Sequence, residues 1–138
     1  MKLTLDLVPS TSFYQNARSV LTKSEWKKIR DKVVESCGNK CEICNIYYDN
    51  LDCHEVWEYK NKIQKLVKLI GLCKDCHQVK HFGLAEINGK RKEALSHLMK
   101  VNKISKKQAE DYIIKQFNIW KQRSLKKWTL DISLLNDI

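Results

Sequence analysis

Proline is nearly absent from this 138-residue chain. One Pro and four Gly exclude collagen-like, mucin-like and linker-rich classes. No run of about 18 apolar residues occurs, so no transmembrane helix is expected. The opening MKLTLDLVPSTS is broken by Asp6 and Pro9, where a secretion signal needs an unbroken apolar stretch. The expectation is therefore a cytoplasmic protein with no membrane association. The length leaves no room for a second core, which predicts one domain over residues 1–138. What the chain does hold is six cysteines and a formal charge of +10. In a reducing compartment such cysteines read as metal ligands before they read as disulfides.

The positive charge is not evenly spread. Residues 1–59 carry 8 Lys/Arg against 9 Asp/Glu, whereas residues 60–127 carry 18 against 5. The natural partner of such a half is a polyanion, and nucleic acid is the expected one, DNA ahead of RNA. A merely solvated surface is the plainer alternative.

Local patterns suggest a strand over residues 2–8, where Leu3, Leu5 and Leu7 alternate with polar residues and Pro9 ends the run. Residues 10–21 read as a loop with a short helical turn. Thr22 and Glu25 form a capping-box signature for a helix over about residues 24–37, with Gly38 placed to stop it. A C-terminal helical extension is expected over about residues 90–127. Its first helix carries Ala94, Leu95 and Leu98. Its second opens at a Ser105/Gln108 capping box and lines up Ala109, Tyr112, Ile113, Phe117 and Trp120. The other face of that second helix presents Lys106, Lys107, Lys115, Lys121 and Arg123, the candidate nucleic-acid contacts. Residues 128–132 echo residues 3–7, and pairing of these two terminal strands would satisfy their backbone groups.

Cys41-x-x-Cys44 and Cys73-x-x-Cys76 are two knuckles with 28 residues between them. Together they supply four thiolates, the donor set of a structural tetrahedral zinc. Cys37 is left over as a thiol at a helix end, near enough in sequence to compete. A second constellation consists of Asp52-Cys53-His54-Glu55 and His77-x3-His81. Spacing of four places His77 and His81 on one helical face, a chelating geometry. Adjacent strand residues point to opposite sides, so only one of Cys53 and His54 would face a metal unless a bulge intervenes. His97 reads as a surface or partly buried histidine, Trp57 and Tyr59 as strand aromatics, and Glu55 and Glu58 as solvated carboxylates.

The run Cys-x2-Cys, x8, Cys-His, x18, Cys-x2-Cys-His, x3, His resembles the zinc-knuckle branch of the HNH endonucleases, over about residues 26–83. The resemblance implies an α+β fold: a small ββα-metal core with a four-cysteine zinc site, flanked by helices. It implies His54 as general base, with Cys53, His77 and His81 as ligands of a second divalent ion (Zn, Mg, Mn or Ni). The implied activity is metal-dependent hydrolysis of phosphodiester bonds. Two positions depart from the pattern. Cys53 stands where the family has Asp or His, and the middle Asn has no clean match, Asn61 and Gln64 being the nearest substitutes. The alternative is a catalytically silent zinc module that binds nucleic acid or a protein partner. A purely structural zinc ribbon is a third reading.

Overall fold

The computed structural model describes residues 1–13 and 15–138; Tyr14, inside the loop expected over 10–21, lies outside the described residues. The chain is a small α+β domain. Among the described residues there are six α-helices, α1 (Ala17–Val20), α2 (Lys23–Ser36), α3 (Lys74–Lys80), α4 (Phe82–Ile87), α5 (Arg91–Asn102) and α6 (Lys106–Arg123). One three-stranded sheet accompanies them, β1 (Asp52–Lys60), β2 (Ile63–Leu72) and β3 (Thr129–Asp131). No helix of the described residues is long and apolar enough to cross a membrane.

The capping boxes form as their sequences suggest. Thr22 Oγ1 accepts from the Glu25 N–H while Glu25 reaches back to the Thr22 N–H, and Ser105 and Gln108 do the same at α6. Between α2 and the sheet, the first knuckle folds as a tight turn. Asn39 and Asn45 take the left-handed conformation there, and a bridge joins Lys40 to Tyr47. β1 and β2 form an antiparallel hairpin turned by Asn61 and Lys62, both at positive φ. Asn accepts that conformation more readily than most residues. The second knuckle sits where β2 runs into α3.

The first eight residues are not a strand of the sheet. Their backbone groups are satisfied by helices instead. Asn102 of α5 takes both the N–H and the C=O of Leu3, the Tyr112 hydroxyl accepts from Leu5, and the Lys80 carbonyl accepts from Asp6. The expected pairing of the two terminal strands is therefore replaced. β3 pairs in parallel with the start of β2, Ile63 opposite Thr129, while Leu3 and Leu5 are buried in the core. That core joins Leu3, Leu72, Val79, Phe82, Leu98 and Ile113, so the knuckles, α3 and the C-terminal helices share one apolar centre.

Candidate metal centre

Cys41 and Cys44 flank the first turn, where the Asn45 N–H bonds the Cys41 carbonyl and the Cys41 N–H bonds that of Ile46. Cys73 is the N-cap of α3, and its sulfur faces the N–H of Cys76 one turn on. Glu42 locks the two knuckles together. Its N–H bonds the Gly71 carbonyl and its carboxylate accepts from the Gly71 N–H at 2.6 Å. The four sulfurs lie within 4.8 Å of one another, three of the residues buried and Cys44 half-buried. Sulfurs on a zinc tetrahedron with bonds of about 2.3 Å stand about 3.8 Å apart. The Cys44–Cys73 separation is 3.9 Å, so the group could hold a zinc ion. A hydrogen bond from Cys76 holds the Cys41 thiol down to about 4, and the same contact pushes the Cys76 thiol up. Two further neighbours of this centre have no signature in the sequence. His97 of α5 places Nε2 3.2 Å from the Cys76 sulfur, and Tyr48 lies against Cys44 and Cys73.

From His77, the residue that follows Cys76 on α3, a second group forms. His54 comes from β1, His77 from α3, and His81 follows α3 directly. One ring nitrogen of each lies within 4.8 Å of the others. His77 and His81 bring their Nε2 atoms to 3.1 Å. His54 is only 3% exposed. Burial lowers its pKa, and burial with the neighbouring His54 and His77 charges lowers that of His81 to about 4. Both rings are therefore neutral near pH 7 and keep a lone pair for an ion or a proton.

Two carboxylates stand behind this group. Asp52 Oδ2 lies 2.9 Å from His77 Nδ1 and also pairs with Lys74. Asp6 Oδ2 lies 2.8 Å from His54 Nε2 and 3.3 Å from Lys80 Nζ. Burial pushes both carboxyls up. The hydrogen bonds and charges of Lys74 with His77, and of His54 with Lys80, outweigh it, so both stay below the usual carboxylate range. A carboxylate behind an imidazole is the arrangement that orients histidine on a metal ion. Asp52 was legible in the sequence, being two residues before His54 on the same strand face. Asp6 was not, because 48 residues separate it from His54.

Cys53 does not join this group. It points to the other side of β1, because the bulge in the hairpin falls later, between Val56 and Trp57, and leaves the alternation at 53–54 intact. Burial, then the Glu55 charge, pushes its thiol up to about 12, opposite to what a thiolate ligand needs. Neither substitute for the middle Asn is near. His54 pairs with Ile70, whereas Gln64 pairs with Tyr59, five residues or about 16 Å along the hairpin. Gln64 is fully buried, with neither amide atom partnered among the described residues. On α6, Lys106, Lys107, Lys115 and Lys121 are exposed, with Lys107 paired to Asp111. Arg123 instead lies over the Tyr59 ring of β1, 4.4 Å from its centroid. No family model matches the chain, and no curated protein or solved structure matches it either.

Proposed function

We propose that this protein is a metal-dependent nuclease of the HNH kind, hydrolysing phosphodiester bonds in nucleic acid with DNA as the favoured substrate. The observation that carries the reading is the convergence of His54, His77 and His81, two of them backed by carboxylates, on a hairpin followed by a helix. A purely structural zinc ribbon has no use for that second group. In this reading the four cysteines hold a structural zinc and keep hairpin and helix in register. His77 and His81 would hold the second divalent ion, whose chemistry is to stabilise charge on the phosphate and the leaving oxygen. Imidazole donors suit zinc or nickel better than magnesium. His54, neutral near pH 7, removes the proton of the attacking water. A thiolate set of this kind suits a reducing compartment, which supports a cytoplasmic location.

A second reading draws on a specific observation. With Cys53 turned away and Asn61 and Gln64 at the far end of the hairpin from His54, a silent module that binds nucleic acid or a protein partner keeps the zinc fold without the chemistry. Cleavage of plasmid, single-stranded DNA and RNA with a panel of Zn, Ni, Mn and Mg separates the two. The nuclease reading expects two ions per chain. It expects His54→Ala to cut about 10²–10⁴ more slowly with nucleic-acid affinity unchanged, and His81→Ala to lose the second ion and activity together. Binding without cleavage under every ion would favour the silent module.

A further inference from the structure

We infer that Asp6 is the positioning residue of His54, so that the site is completed by a segment outside the hairpin and helix that supply its histidines. This deepens the nuclease reading and rests on it for its part in the reaction. The carboxylate is held from several sides. The Asp6 N–H bonds the Lys80 carbonyl at 2.9 Å, and Oδ2 meets both His54 Nε2 at 2.8 Å and Lys80 Nζ at 3.3 Å. Lys80, 5% exposed, also donates to Thr4 Oγ1 at 2.8 Å. The flanking Leu3 and Leu5 are anchored in the core and bonded to α5 and α6. A lysine and a histidine buried against a half-buried carboxylate are costly to take from water, and apolar residues of similar volume would serve a purely structural role as well.

The chemistry of the contact sets the state of the ring. An ionised carboxylate only accepts hydrogen bonds, and Lys80 keeps Asp6 ionised. The nitrogen facing it, Nε2, therefore carries the proton. A neutral imidazole has one N–H, so the lone pair of His54 resides on Nδ1. Asp6 thereby selects one tautomer and one ring orientation before any ion or substrate arrives, as an orienting carboxylate does for a histidine base.

The test uses the full chain with its zinc and compares wild type with Asp6→Asn, which keeps the size of the side chain, and with Asp6→Glu, which restores the charge. Nitrogen chemical shifts of His54, recorded at about pH 8 where a free imidazole is neutral, report the tautomer without any need for activity. The expected result is a protonated Nε2 and a bare Nδ1 in the wild type, loss of that single state in Asp6→Asn, and its partial return in Asp6→Glu. In cleavage, Asp6→Asn should lower kcat by about 10²-fold or more with KM little changed. A wild-type ring protonated on Nδ1, or shifts that Asp6→Asn leaves untouched, would overturn the inference. So would unchanged kcat in a folded Asp6→Asn protein. If the wild type cuts nothing, the nuclease reading falls by itself, and the nitrogen shifts still decide whether Asp6 sets the state of His54.

Discussion

A Cβ placed on Gly71 would stand 2.9 Å from the Cys37 sulfur and 3.3 Å from a Leu51 methyl. The glycine lets the end of β2 pass beneath α2 closely enough for Glu42 to bond both of its backbone groups. Gly71→Ala should therefore destabilise the fold by about 1–3 kcal/mol, the usual cost of overpacking. Urea denaturation measures it, and adding Cys37→Ala should recover part of the loss because it removes the clashing sulfur. Equal stability of wild type and Gly71→Ala would show that the contact is not tight. At the same scale, the roles of neighbouring residues follow from the two-residue period of a strand. Asp52 and His54 share a face, and Cys53 takes the other. That rule was readable in the sequence. Which of the two faces would meet α3 was not, because it depends on how α3 packs against the hairpin.

The elements around the cysteines lie in a tight turn and at a short helix start. Neither has much local stability: α3 has seven residues, well below the length at which an isolated helix holds together. An ion held by the four cysteines would therefore contribute to folding, on the order of 10 kcal/mol in small zinc peptides. Cys41→Ser or Cys73→Ser should release zinc and lower Tm sharply, and a strong chelator should do the same to the wild type. Metal analysis and thermal denaturation on the same samples check this; unchanged zinc content and Tm in both variants would remove the four-cysteine site. Helix ends in this chain were legible because a capping box is a local device whose partners lie three residues apart. The fate of the first eight residues was not, because an alternating pattern specifies a buried face and not what that face is bonded to.

For the whole molecule the charge is the governing feature. The surplus falls in residues 60–127, and α6 exposes Lys106, Lys115 and Lys121 without an ion-pair partner among the described residues, while Lys107 is tied to Asp111. Binding to nucleic acid should weaken steeply with salt. Replacing Lys106, Lys115 and Lys121 by Glu should weaken it alike across sequences and flatten the salt slope by roughly 0.9 for each phosphate that is no longer neutralised. Filter binding or fluorescence anisotropy across a salt series measures both. An affinity that hardly changes between low and moderate salt would dismiss the polyanion reading. The amino-acid sequence by itself determined the groups whose members are close along the chain: the two cysteine knuckles, the pair His77 and His81, the capped helices and the uneven charge. Tertiary structure alone decided which distant groups meet. It brought Asp6 to His54, His97 to Cys76, and β3 to β2 rather than to the opposite terminus. Local patterns reflect backbone geometry over a few residues, whereas contacts across 48 or 21 residues depend on how the whole core packs, which no short window contains.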